Sequence, residues 1–503
     1  MYRAVFAAAL ALFGFVLLPI LAAETFYIDD LGRSLHGYLG WGRDARPLAN
    51  VVMEVLNLGT PLVDLSPLPQ IGAALLFAGL AVTVARRFGF TGVWRAPLAL
   101  LPLFASPFFL ENLSYRFDAL TMSLAVCVAA WSAMLPLTPR WRIVAAGLGL
   151  LASLSLYQPA AAVFLIFALL QYVAGQINQD VPGRIVRVLV WRIALWLATL
   201  ALYALTIART VKGNYGLHHA GMESGWPMVG VVADNLEMSV RFVVQSLRTA
   251  GGAGQLAAIV FALLAMTVAG VAYARRQWRG SAGWQRGFLL LGVVGIPAAA
   301  FIGMWGPLLL LRHPVMVPRT QIGAGALAAA GAILLTIVME KRRWGRRWQV
   351  AVLAVLAYPL IAFAMVYGNT LRLQQVEESR ISASLADDLA MLAADGQVER
   401  WALHGQAAMP PVGRHNADRY PFLKRLVPLH LSQGWGWATD RLAHAGLQLP
   451  RAANDSVDLA GVQACRTRAA IVRQSYRIYL VEGTAVVIFK DVPMPACPAG
   501  PPG

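Results

Sequence analysis

Eleven apolar stretches, each long enough or nearly long enough to cross a lipid bilayer, divide this chain of 503 residues. They fall at about 4–23, 70–85, 96–111, 119–135, 144–157, 158–175, 193–209, 256–274, 288–311, 321–339 and 350–371. A hydrocarbon core roughly 30 Å thick takes about 20 helical residues to cross. It offers the backbone no water, so such runs become helices that satisfy their own peptide groups. Only 13% of the residues are charged and mean hydropathy is +0.59, where a soluble globular chain carries about 25% charge. The expected fold class is an all-α polytopic membrane protein with about eleven transmembrane helices.

Lys and Arg set the expected orientation, because cytoplasmic loops collect them. Arg3, Arg86-Arg87, Arg140 with Arg142, Arg184 with Arg187, Arg275-Arg276-Arg279 and Lys341-Arg342-Arg343 with Arg346-Arg347 fall on every second connection. The connections between them hold Asp29-Asp30, Asp118, Glu223, Asp234 and Glu237. The N-terminus is therefore expected inside a bacterial cytoplasmic membrane and the C-terminal region outside, in the periplasm. This rule also accounts for the formal charge of +17. The arginines are spread over short loops and form no basic face, so nucleic acid is not an expected partner. Arg3, the first apolar run and Leu21-Ala22-Ala23 also fit a secretory signal, but the run is longer than such signals usually are and carries Pro19.

Two domains are expected: 1–371 in the membrane and a small extracytoplasmic α+β domain over 372–503. The second begins where charge rises and long apolar runs stop. Val376, Ile381, Leu385, Leu389 and Leu392 continue a helix out of the membrane, and Tyr476–Val481, Glu482-Gly483 and Thr484–Phe489 read as a β-hairpin. Cys465 and Cys497 in this region are expected to form a disulfide, and Cys127 to be a packing residue. In the first long external segment, about 24–69, Leu48, Val51, Val52, Val55 and Leu56 mark an amphipathic helix that either roofs a cavity or anchors to the surface.

That segment also carries the candidate chemistry. Residues 24–48 hold Asp29, Asp30 and Asp44, Arg33, Arg43 and Arg46, with His36, Tyr38 and Trp41. Two adjacent carboxylates cannot sit in hydrocarbon, so they belong to a wet surface or cavity. Glycosyl transfer needs a base for the acceptor hydroxyl and cations for a phosphate leaving group. Aromatic faces stack on sugars. The plain alternative is a solvated loop. Asn112 to Asp118 adds Arg116 and Asp118, either a surface ion pair or part of an anion site. His218-His219 and the basic turn Arg312-His313-Pro314 with Pro318-Arg319 are left outside the site, and no metal ligand set is spaced along the chain.

Tyr27-Ile28-Asp29-Asp30-Leu31-Gly32-Arg33, Gly37-Tyr38, Gly40-Trp41, Arg46-Pro47-Leu48, Pro67-Leu68-Pro69-Gln70, Asn112 to Asp118 and Tyr157-Gln158-Pro159 together resemble the Gtr-type O-antigen glucosyltransferases of bacteria and their phages. The resemblance covers about 1–370. It implies the C-type glycosyltransferase fold and transfer of one sugar, usually glucose, from a polyprenyl-phosphate carrier to an O-antigen or other surface glycan on the periplasmic side. It points to Asp29 or Asp30 as the base, in a direct displacement that inverts the anomeric carbon. Arg33, Arg46 and Arg116 would hold the donor phosphate, Tyr38 and Trp41 the sugar, with Asp118 and Gln158 as further site residues. The expected partners are the lipid-linked donor, the glycan acceptor and the bilayer, with a donor synthase and a flippase supplying the carrier; no cofactor or metal ion is expected. A lipid-linked sugar flippase would need ionisable groups deep in several spans, which are nearly free of them. A glycan polymerase or ligase is the remaining rival.

Overall fold

The computed structural model describes residues 1–212, 217–219, 221–223, 225–280, 282–452 and 468–490; the expected Cys465–Cys497 bridge lies outside them. The chain is mainly helical. Among the described residues, eight helices are long and apolar enough to cross a membrane: Tyr2–Leu21, Leu68–Phe88, Gln158–Asn178, Pro182–Thr210, Ala253–Gly280, Gly283–Gly303, Ile322–Lys341 and Arg346–Ala394.

Three of the expected spans look different. The run at 96–111 is a bent pair, Arg95–Phe104 and Pro107–Ser114, with 77° between the halves. Pro107 has no N–H to continue the first half, and the Ser106 hydroxyl caps the second by accepting from Phe108 N at 3.3 Å. The runs at 119–135 and 144–157 form the helices Ala119–Met134 and Trp141–Leu156, each of 16 residues. At 1.5 Å per residue these reach roughly 24 Å, short of a full crossing.

Of these eight, Ile322–Lys341 and Gln158–Asn178 are the most enclosed and Gly283–Gly303 is the most open. Close approach at the centre relies on small residues: a Cβ on Gly331 would lie 2.1 Å from the Ala258 carbonyl oxygen. The first helix packs as a full member of the bundle, with the Phe13 ring 4.6 Å from that of Phe104.

Arg346–Ala394 is one helix of 49 residues, roughly 74 Å long at 1.5 Å per residue. It runs through residue 371 without a break and projects far beyond any bilayer. Ile381, Leu385, Leu389 and Leu392 are buried on it as their spacing predicts, whereas Val376 is exposed. They pack under a four-stranded sheet ordered β1-β4-β3-β2, with β1 Arg400–His404, β2 Ile471–Val472, β3 Tyr476–Val481 and β4 Thr484–Phe489. The expected hairpin is β3–β4, closed by Glu482 and Gly483, both at positive φ (44° and 69°), as a two-residue hairpin turn requires. Strand β1, parallel to β4, was not legible from the sequence.

The helix Pro47–Leu56 forms as expected, but it seats Ala49 and Met53 in the protein and leaves Val51 and Val55 exposed. Of its apolar stripe, Leu48, Val52 and Leu56 pack partly buried against the core while Val51 and Val55 face outward, which suits a helix lying in the membrane interface.

Candidate active site

Asp29 stands at the head of a seven-residue helix, Asp30–His36, and the backbone just before it is unusual. Ile28 has φ of 35°, a conformation that a β-branched residue adopts only under constraint. The turn aims two neighbouring carboxylates in different directions.

Asp30 is fully buried and fully used. Its Oδ2 accepts the backbone N–H groups of Arg116 at 2.7 Å and Tyr27 at 3.2 Å, and its Oδ1 that of Phe117 at 3.4 Å. It clamps the first external loop to the 115–118 loop that the bent helix pair delivers. Burial pushes its carboxyl up to about 8, against the pull of those N–H donors and of Arg33. Asp29 is the opposite case. It reaches water although protein surrounds it, and no described residue hydrogen-bonds its carboxylate. The enclosure raises its pKa above the usual carboxylate range. The charged groups facing it are Arg319, Arg33, Asp118 and Arg46, with Asp44 and Asp440 also near.

Asp118 organises the cations. Its Oδ1 accepts from Trp41 Nε1 at 2.7 Å and from Arg46 at 2.8 Å, and its Oδ2 from Arg33 at 3.2 Å. All four side chains are buried. The Arg33 guanidinium lies 4.1 Å from the Trp41 ring centroid and 5.3 Å from that of Tyr38. Arg46 also donates Nε to the Leu156 carbonyl at 2.6 Å and sits over Tyr157. Three side chains of the first external segment thus converge on one carboxylate of the 112–118 loop.

The remaining expected site residues are placed differently. Arg116 gives its backbone N–H to Asp30, but its guanidinium pairs with Asp64, donates to the Thr25 carbonyl at 3.1 Å and stacks on Phe26. Gln158 donates to the Asp44 carbonyl at 2.7 Å and to Tyr203 at 2.9 Å, so it braces the turn that carries Trp41 and Arg46. Tyr38 is partly open to solvent.

Sequence reasoning left out Arg319 and Glu111. Glu111, buried at the far end of the bent pair, accepts from Arg319 N at 2.8 Å and from its guanidinium at 2.5 Å. Tyr157 donates to the Arg319 carbonyl at 2.9 Å. A signal existed: a glutamate closing an apolar run is costly unless paired, and the Pro318-Arg319 turn is basic.

The sequence profile of the family described as "Glucosyl transferase GtrII" matches residues 18–336, which takes in every residue of this cluster. An uncharacterized 55.3 kDa protein in the gtrB 5' region of Salmonella phage P22 is 26% identical over 428 residues, covering 84% of this chain and 85% of the relative. No solved structure matches the chain. With more than half its length inside that profile, and with the Asp-Asp turn, the Asp118 cluster and Arg319 all within it, the chain belongs to the GtrII glucosyl transferase family.

Proposed function

We propose that this protein is a C-type membrane glycosyltransferase with eleven membrane-associated helical segments, and that it moves one glucose from a polyprenyl-phosphate carrier to an O-antigen outside the cytoplasmic membrane. The observation that carries the reading is the contrast between the two aspartates: Asp30 is consumed by backbone donors, while Asp29 is free, wet and among guanidinium groups.

Asp29 is the general base. It accepts the proton of an acceptor hydroxyl as that oxygen bonds to the anomeric carbon. The bond from that carbon to the phosphate oxygen breaks, and the polyprenyl phosphate leaves with the electron pair. Attack opposite the leaving group inverts the anomeric centre. Arg33 and Arg46, with Arg319 across from Asp29, stabilise the phosphate as its charge grows. Their charge is part-neutralised by Asp118 and Glu111, which hold the three forks in place. Arg116 is assigned to bracing the loop and Trp41 to stacking on Arg33, which leaves Tyr38 as the aromatic group open to a sugar. An enclosed base with a raised pKa is a better proton acceptor than an ordinary aspartate.

Topology supports an external site. Ser34 and His444 are hydrogen-bonded at 3.0 Å, so the first loop and the C-terminal region lie at one end of the bundle. The 112–118 loop, the Tyr157 turn and the Arg319 turn meet there too. The arginine-rich connections lie at the other end, where Arg86 stacks on Tyr2 and Arg95 pairs with Glu340. On this reading the arginine-rich end is cytoplasmic by the positive-inside rule, and the region from about 372 onward, which starts at the opposite end, is periplasmic.

The test is single substitution. Asp29→Asn is expected to lower glucose transfer in isolated membranes by about 10²–10⁴-fold, the usual worth of a general base. Asp30→Asn is expected to retain much of it, because one amide oxygen can keep the bonds to Tyr27 and Arg116. Full activity of Asp29→Asn overturns the assignment.

A further inference from the structure

The short helix Trp437–His444 belongs to the C-terminal region, beyond the residues 18–336 that carry the family match. It nevertheless packs directly on the Asp30–His36 helix. His444 Nε2 lies 3.0 Å from Ser34 Oγ and 3.2 Å from the Leu31 carbonyl oxygen, and its ring sits 5.1 Å from that of Phe26. One turn earlier, Asp440 reaches the same helix at Gly32. A Cβ built there would lie 2.8 Å from Asp440 Oδ2 and 3.2 Å from the Tyr38 hydroxyl oxygen. A side chain at Gly32 would push aside the ends of Asp440 and Tyr38, which both reach this point of the helix that starts beside Asp29.

The surroundings of Asp440 indicate what it binds. The charged groups facing it are His36, His444 and Asp29. A phosphate would meet two carboxylates here, whereas the guanidinium groups gather around Asp118. A carboxylate and a phenol hydroxyl, both partly open, suit a neutral ligand rich in hydroxyls. A carboxylate accepts two such donors at once, and the phenol both donates and accepts. Trp437 shares a helix face with Asp440 and His444 by i, i+3 and i+4 spacing, and the exposed Trp435 stacks on it with ring centroids 5.2 Å apart and planes 15° from parallel. Flat aromatic pairs offer an apolar face to a sugar ring.

We propose that the C-terminal region completes the active site: Asp440 and Tyr38, with the Trp435–Trp437 stack at the head of the same helix, bind the acceptor glycan chain and present its hydroxyl to Asp29. This rests on the transferase reading above and goes beyond it, because it gives a role in substrate recognition to residues outside the family match.

The experiment measures binding separately from transfer. Full-length protein in lipid nanodiscs is titrated with O-antigen polysaccharide from cells lacking this protein, and separately with polyprenyl phosphate. Loss of charged hydrogen bonds in Asp440→Asn is expected to weaken polysaccharide binding about tenfold or more, with polyprenyl-phosphate binding unchanged. Trp435→Ala, at an exposed position, is expected to shift in the same direction. In transfer assays both variants raise the acceptor KM and leave kcat within about twofold. Unchanged polysaccharide affinity in both variants overturns the proposal, whatever the chemistry at Asp29. Normal polysaccharide binding by a wild-type protein that transfers no glucose would instead overturn the transferase reading and leave this subsite standing.

Discussion

At one end of the helical bundle Arg33 and Arg46 are buried and share a single carboxylate, whereas at the other Arg86, Arg140, Arg184, Arg275 and Lys341 to Arg343 are exposed. The residue types are the same and both groups sit at the ends of apolar helices. The exposed cations have long stems that reach water at no great cost, and under the orientation proposed above they hold that end on the cytoplasmic side of a membrane. The buried ones have lost their water and depend on Asp118, Trp41, the Leu156 carbonyl and aromatic faces. A built cation is recognised by how many groups hold it. Even the exposed end has such cases: Arg192 is buried against Gln171 and the Leu135 carbonyl, and Arg95 is bound by Glu340, Gln349 and Thr91, tying the start of the bent helix pair to the bundle.

The largest expected effect follows from removing the shared carboxylate. Asp118→Ala leaves the buried Arg46 guanidinium without its ion-pair partner, Arg33 with only Asp30 at 4.0 Å, and the Trp41 N–H without its acceptor. Breaking a buried pair in this way costs about 3–5 kcal/mol. The variant is expected to unfold at a clearly lower temperature in detergent and to transfer no glucose. Asp118→Asn, which keeps an acceptor for Trp41, falls between the two. A thermal midpoint of Asp118→Ala equal to that of the wild type would erase the distinction between the two ends.

A smaller effect concerns pH. Burial pushes the Asp30 carboxyl up to about 8 in the folded protein, while an unfolded Asp titrates near ~3.9. Between those values the native state holds a proton that the unfolded chain has released. The contribution of Asp30 to stability is therefore complete below about pH 4 and is lost as pH rises through about 8. Thermal unfolding followed across that window should show a downward slope, flatter in Asp30→Asn. An equal slope in the two proteins would mean that Asp30 is already ionised in its clamp.

Much of the bundle was legible because helix-length apolar runs and a two-residue hairpin turn are local signals. The Asp-Asp pair, Arg33, Arg46, Trp41 and Asp118 were legible too, since charge beside an apolar run needs a reason. What could not be read depends on long-range geometry. Nothing local tells Asp29 from Asp30; the strained Ile28 and the N–H groups of residues 116 and 117 do that. The kink at Ser106-Pro107 was hidden in a run that hydropathy treats as continuous. Arg116 was assigned to phosphate because Asp64 had no evident link to it. The approach of Asp440 and His444 to the first loop spans more than 400 residues of sequence, as the Leu31–His444 separation of 413 illustrates.

The smallest expected effect is at the exposed end, and it sharpens the comparison most. Arg275 is exposed at the end of the Ala253–Gln277 helix, and no ion pair involving it is present among the described residues. Arg275→Gln should change stability by no more than about 0.5 kcal/mol and leave transfer intact. Orientation is set by the sum of such charges, so one loss should not invert the protein. Replacing Arg275, Arg276 and Arg279 together is the stronger challenge. If those side chains only orient the chain, the triple variant that inserts correctly keeps its kcat and its acceptor KM, and any loss appears in the fraction of protease-accessible C-terminal region. A drop in kcat in correctly oriented protein would show that this end, too, holds a cation tied to the chemistry, and burial would no longer be the mark that separates the two.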